Sequence, residues 1–196
     1  MPKLVLASAS PRRQELLARL GYRPELRPTA IDEGRQAGES PVQLVRRLAR
    51  EKALAATRAA ENALVLGADT VVCLDDQVFG KPADCAGAEA TYHALAGRWH
   101  QVLTAVAVVD GVQVQQILSR NAVFLRPLST AEARAYWASG EPLDKAGAYA
   151  IQGLGAVFVR GLRGSYSAVM GLPLAETSAL LTRLGLPPPQ LASAYE

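Results

Sequence analysis

The sequence is poor in the residues from which many sites are built. It has two cysteines, Cys73 and Cys85, and two histidines, His93 and His100. The cysteines lack C-x-x-C spacing and the histidines do not fall in H-E-x-x-H, so no zinc-site pattern is written in the chain. Two such cysteines read as reduced thiols without chemistry of their own. The motifs G-x-x-x-x-G-K-[ST] and G-x-S-x-G are also absent, which excludes a P-loop and a nucleophile elbow. Aromatic residues are only 6%, too few for the stacking platforms of a single-strand nucleic-acid binder. No apolar run approaches the roughly 18 residues of a membrane span. The run Leu4-Val5-Leu6-Ala7 is too short for a signal peptide, and no retention or lipidation signal is present, so the cytoplasm is the expected location. Lysine is scarce as well: of 21 basic residues only Lys3, Lys52, Lys81 and Lys145 are not arginine. Each retained lysine raises the question of whether its position needs a compact ammonium.

What remains is the composition of a folded domain. The chain has 196 residues, 49% hydrophobic and 20% charged. One domain is expected over residues 1–186, with 187–196, opening on a triple proline, as a flexible tail. The net charge of +3 suits an anionic ligand. The basic residues are spread along the chain, so a nucleic-acid-binding regulator of cell division is the weaker alternative.

Strand-like and helix-like segments alternate. Residues 3–7 read as a buried strand, and Ser10-Pro11 as an N-cap and first-turn proline opening a helix to about Leu20. Residues 24–28 form a possible second strand. Ser40-Pro41-x-Gln43 is a capping box for a helix to about Ala60. Residues 63–68 are a strand that ends at Asp69 with a continuation through Val71 and Val72, and Asp75-Asp76-Gln77 is a turn. Residues 84–97 are helical. Strands over 99–109 and 112–124 are joined at Asp110-Gly111. Ser129-x-x-Glu132 caps a helix to about Ser139. Residues 156–162 read as a strand, and Pro173 opens a last helix ending near Gly185. The class is α/β with a mixed sheet, because a tight hairpin joins antiparallel neighbours.

Several residues point to an anion. In Ser8-Ala9-Ser10-Pro11-Arg12-Arg13 a strand ends and a helix begins. Arginines in a first helical turn oppose the helix dipole. A phosphate would reconcile them, since amide N–H groups, the Ser8 and Ser10 hydroxyls and the guanidinium forks of Arg12 and Arg13 converge on one point. Asp69 follows a very apolar strand, where α/β folds place ligands. Asp69 and Glu33 are candidates for holding a divalent metal, and Asp69 also for general base. The two roles of Asp69 compete, because a metal-bound carboxylate is a weaker base. Lys52 and Lys81 would neutralise phosphate, Lys145 is a third basic candidate, and the amide of Gln152 suits the edge of a base. The set is a nucleotide-hydrolase kit, with Mg²⁺ the expected cofactor and Mn²⁺ or Co²⁺ possible.

With these residues the sequence resembles the Maf family of nucleoside triphosphate pyrophosphatases. The resemblance is carried by Leu6-Ala7-Ser8-Ala9-Ser10-Pro11-Arg12-Arg13, Glu33, Arg50-Glu51-Lys52-Ala53, Gly67-Ala68-Asp69-Thr70-Val71, Gly80-Lys81-Pro82, the run from Asp144 to Gly153, and Gly164-Ser165-Tyr166. It implies an elongated mixed sheet flanked by helices with a central cleft, similar to the inosine triphosphate pyrophosphatase fold. It also implies hydrolysis of a nucleoside triphosphate to monophosphate and pyrophosphate, a divalent metal, and a homodimer that cleans the nucleotide pool. Asp69 matches the family's proton acceptor. Arg13, Thr70 and Gln152 match substrate-selecting positions. Ser8, Arg12, Glu33, Lys52 and Lys81 match the phosphate and metal pocket. The run Ala148-Tyr149-Ala150-Ile151-Gln152 resembles the branch acting on dTTP, UTP and modified pyrimidine triphosphates. The branch acting on 7-methyl-GTP is the alternative.

Overall fold

The strand β3 (Ala63–Leu74) is the axis of the molecule, and its alternating side chains feed two cores. Leu64, Leu66, Ala68 and Val72 enter one apolar cluster, while Val65, Val71 and Cys73 enter another on the opposite face. A strand covered on both faces reads as nearly continuous apolar sequence, and this one does. The computed structural model describes residues 2–57 and 62–194. Among these, β3 belongs to a seven-stranded mixed sheet with six α-helices around it.

The other strands are β1 (Lys3–Leu6), β2 (Glu25–Leu26), β4 (Gln77–Phe79), β5 (Trp99–Asp110), β6 (Gln113–Leu125) and β7 (Val159–Arg163). The sheet order is β2-β1-β3-β5-β6-β7, with β4 also on β3. On one edge β3 pairs antiparallel with β5 from Leu64 to Cys73. On the other it pairs parallel with β1 as far as Leu66 and antiparallel with β4 from Val72. Between them Gly67–Val71 has no strand neighbour on that edge among the described residues, and the chain leaving β1 turns away there. A crevice beyond the carboxyl end of β1 results, at the point where pairing switches.

The helices are α1 (Pro11–Arg19), α2 (Pro41–Thr57), α3 (Cys85–Leu95), α4 (Thr130–Ala138), α5 (Tyr166–Met170) and α6 (Leu174–Arg183). The capping boxes form as the sequence predicts. Ser40 N donates to Gln43 Oε1 (2.9 Å) and Gln43 N to Ser40 Oγ (3.3 Å), and the Ser129–Glu132 pair is equally reciprocal. The expected end of the second helix at Ala60 lies outside the described residues. No helix among the described residues is long and apolar enough to cross a membrane.

Several expectations are corrected. Asp69 does not end a strand but sits within β3, because β5 carries the ladder past it. Ser10 holds the N-cap position without a side-chain capping bond, since Ser8 Oγ instead accepts from Ser10 N (3.1 Å). The β5–β6 turn is Gly111-Val112, one residue later than predicted, with Gly111 supplying the positive φ (+57°) and Asp110 still paired to Gln113. Residues 154–158 form a 3-10 turn before β7 rather than the start of a strand, because the Glu141 carboxylate takes the Leu154 and Gly155 amides. The short helix α5 is capped by Ser165, whose hydroxyl accepts from Ala168 N (3.2 Å); the sequence reading passed over this signal.

Gly67 sets the distance between α2 and the sheet. A Cβ there would stand 2.4 Å from the Ala49 carbonyl oxygen and 2.5 Å from Ala53 N, both backbone atoms of α2. The helix backbone therefore rests on the strand backbone, with Ala49 and Ala53 as the contacting small residues. Gly67→Ala is expected to destabilise the fold by about 1–3 kcal/mol, read as a lower urea midpoint at unchanged m-value.

Candidate active site

The crevice beside Gly67–Val71 is a cleft of about 540 Å³. It brings together Ser8, Ser10, Arg12, Arg13, Glu33, Lys52, Asp69, Thr70, Lys81 and Gln152, every site residue that the sequence nominates, with Lys145 and Tyr149 beside them. These residues come from the loop after β1 and the start of α1, the loop before α2, α2 itself, β3, the loop after β4 and the loop after α4. No two adjacent elements could form the site alone.

The deep end is a chain of charges. Lys52 projects from α2 and is buried, with its Nζ 2.7 Å from Asp69 Oδ1 and 2.7 Å from Glu33 Oε1. Asp69 is buried, whereas the Glu33 side chain is 53% exposed. Their environments push the two carboxyls apart. Burial raises the Asp69 pKa, and the charges of Lys52 and Arg13 offset this only in part. Burial also works to raise Glu33, but the hydrogen bond and charge of Lys52, with Lys81 and Arg13, leave it below the ordinary carboxylate value.

Arg13 is held firmly. Its Nε donates to the Gly171 carbonyl (3.0 Å), one terminal nitrogen to Ser8 Oγ (3.3 Å) and the other to Thr70 Oγ1 (3.4 Å). Desolvation lowers its pKa, with Asp69 opposing. Thr70 in turn meets Thr104 Oγ1 (3.0 Å), which donates to the Ala168 carbonyl (2.7 Å). Thr104 was missed at the sequence level, although a lone threonine within Val102–Val109 was the available signal. Arg12 is looser: it reaches across to Asp144 Oδ2 (3.2 Å), and Asp144 also accepts from Lys145. Lys81 is exposed in the loop after β4, and Gln152 is exposed in the loop after α4.

Tyr149 is part of the cleft lining and its hydroxyl lies 2.9 Å from His100 Nε2 beneath it. His100 is buried. The loop that carries Tyr149 approaches β3 at Gly147, where a Cβ would meet the Val72 methyl groups at 2.9 Å, and Gly147 N donates to the Gly80 carbonyl (3.1 Å). One glycine thus links the Lys145 loop to the Lys81 loop.

The residues present suit a divalent cation in one way only. Among the described residues no group of three metal-ligating side chains exists. Two carboxylates sharing one ammonium are a partial ligand set, which matches a cation whose remaining ligands are phosphate oxygens and water.

The class defined by this fold and cleft is an α/β protein with a cationic cleft beside a desolvated carboxylate. The comparisons with known proteins narrow it. The chain belongs to the Maf-like protein family, whose model matches residues 3–184. It is 51% identical over 180 residues to a dTTP/UTP pyrophosphatase of Vibrio cholerae, covering 91% of this chain and 96% of that one. It is 52% identical over 193 residues to a dTTP/UTP pyrophosphatase of Anaeromyxobacter dehalogenans, with 96% and 97% covered. A third dTTP/UTP pyrophosphatase, from Escherichia coli O157:H7, is 52% identical over 183 residues, with 93% of each chain covered.

His100 yields a pH prediction. Burial depresses its pKa to about 4. The unfolded chain takes up the proton near pH 6.5 and the folded chain only near 4, so stability is full above 6.5 and falls as pH drops through this window. The loss approaches roughly 3 kcal/mol by pH 4. Denaturation curves across this range should show it, and His100→Gln should remove that part of the pH dependence.

Proposed function

We propose that this protein is a nucleoside triphosphate pyrophosphatase that hydrolyses dTTP, UTP and modified pyrimidine triphosphates to the monophosphate and pyrophosphate. The observation that carries the reading is the buried, proton-seeking Asp69 facing a cleft lined by Arg12, Arg13, Lys52 and Lys81. The pyrimidine preference follows the names of relatives about half identical over nearly the whole chain. The same reading includes a single domain over residues 1–186, a house-cleaning role in the cytoplasm, and a homodimer, the last two on the family resemblance alone.

The division of the two carboxylates supports a division of labour. Asp69, with its raised pKa, takes a proton from the attacking water. The water oxygen bonds to the α-phosphorus, the bond from that phosphorus to the α–β bridging oxygen breaks, and pyrophosphate leaves. Lys52 holds Asp69 in place and, by its charge, partly offsets the rise in proton affinity that burial causes. Glu33, deprotonated and exposed, would hold a divalent metal together with Asp69. When bound, the metal (Mg²⁺, or Mn²⁺ or Co²⁺ in its stead) supplies positive charge to the phosphate oxygens. Arg12, Lys81 and the free amides at the start of α1 oppose the negative charge that builds on the leaving group. Arg13, each of whose three nitrogens already donates one hydrogen bond, braces Ser8 and Thr70. The side-chain amide of Gln152 pairs with the imide edge of a pyrimidine.

Incubation with dTTP should release the monophosphate and pyrophosphate, with orthophosphate appearing only after added inorganic pyrophosphatase. Direct release of orthophosphate with the diphosphate would reject the reading. Asp69→Asn should lower kcat by about 10²- to 10⁴-fold. Gln152→Ala should lower the ratio of kcat/KM for dTTP to that for GTP by about tenfold.

A further inference from the structure

We propose that Glu141 and Tyr136, which do not line the cleft, are positioning residues for base selection, acting by clamping the segment that carries Gln152. The inference deepens the preceding reading and rests on its assignment of Gln152 to the base.

Gln152 is itself exposed, on the short stretch Ala150 to Gly155 whose two ends are buried, and its side chain has no partner among the described residues. Such a stretch needs backbone anchors if its one amide is to face a ligand in a fixed direction. Both flanks are anchored, and to the same pair of side chains. Before Gln152, Ala150 N donates to the Tyr136 hydroxyl (3.0 Å). After it, Leu154 N donates to Glu141 Oε2 (2.9 Å) and Gly155 N to Glu141 Oε1 (2.9 Å). The clamp closes on itself, because the Tyr136 hydroxyl donates to Glu141 Oε1 (2.6 Å).

The glycines of the segment fit this role. A Cβ at Gly153 would stand 1.9 Å from Glu141 Oε2, and one at Gly155 would stand 2.5 Å from the Tyr136 hydroxyl. The carboxylate and the phenol thus fill the space where side chains would otherwise be. Tyr136 is itself fixed, with its ring edge-on to Phe158 at 5.2 Å and tilted against Tyr92 at 5.9 Å. Neither Glu141 nor Tyr136 is within the cleft lining, so any effect on substrate passes through the clamped segment. The Asp69–Lys52–Glu33 chain stands on other elements, so the clamp bears on binding of the base rather than on the bond-breaking step.

Two variants test this. Glu141→Gln places an amide nitrogen opposite one of the two backbone donors. Tyr136→Phe keeps the ring packing and removes only the hydroxyl. It therefore decides the matter if Glu141→Gln fails to fold. Steady-state kinetics with dTTP and GTP are measured for both variants, for Gln152→Ala and for the double variants with Gln152→Ala. We expect the dTTP-to-GTP ratio of kcat/KM to fall by about tenfold in each clamp variant, through a higher KM for dTTP. In the Gln152→Ala background the clamp variants should change the ratio no further. A wild-type ratio in folded Tyr136→Phe, an additive loss in the double variants, or an equal fall in kcat for both nucleotides would each overturn the clamp. Those results would leave the base-reading role of Gln152 intact. An unchanged ratio in Gln152→Ala alone would overturn that role, and the inference with it.

Discussion

The separation between α2 and β3 governs the rest of the structure. Interdigitating side chains normally keep the backbones of a helix and a sheet apart. Here Gly67 has no side chain, and Ala49 and Ala53 present little more than their backbone. The helix drops onto the strand, and Lys52, one residue before Ala53, arrives at Asp69 two residues beyond Gly67. The charged pair is therefore a product of a glycine contact. Because α2 covers the pair, Asp69 is desolvated, and desolvation raises its proton affinity.

That one approach also explains why lysine stands at position 52 in a chain that otherwise prefers arginine. A single ammonium lies within 2.7 Å of two carboxylates on different elements. A planar guanidinium is longer and bonds in a fixed fork, which does not match two acceptors set around one point beneath a helix. The arginines serve where a fork is useful. Arg13 spreads its donors over Gly171, Ser8 and Thr70, tying α1 to the chain around α5 and to β3. In the cleft Arg13 is therefore held by three hydrogen bonds and Lys52 is buried, while Lys81 is exposed. Cations lining a partly enclosed cleft concentrate a field that draws in a polyphosphate.

Much of this was legible beforehand, and the reason differs by residue. Ser40, Gln43, Ser129 and Glu132 could be read because a capping box closes within four residues. The alternation around Leu64–Val72 could be read because a strand buried on both faces leaves few polar positions. Arg12 and Arg13 drew notice by standing where a helix dipole disfavours them. The extent of β3 past Asp69 was less legible, since it depends on ten-residue pairing with β5, a strand that starts thirty residues later. Glu141 gave no signal at all. A glutamate after a glycine looks like any surface acid until Leu154 and Gly155 are folded against it.

By itself the sequence determined the local elements, the caps and turns between them, and the set of side chains that carry charge and hydrogen-bonding chemistry. These follow from interactions that close within a few residues. Only the tertiary structure decided which of those side chains share one space and what each is free to do. Lys52 meets Asp69 across 17 residues, Arg13 meets Thr70 across 57, and Arg12 meets Asp144 across 132. Burial, shared partners and proton affinity are properties of such encounters. Their strength depends on how closely backbones pack, and at Gly67 that distance is set by the absence of a side chain.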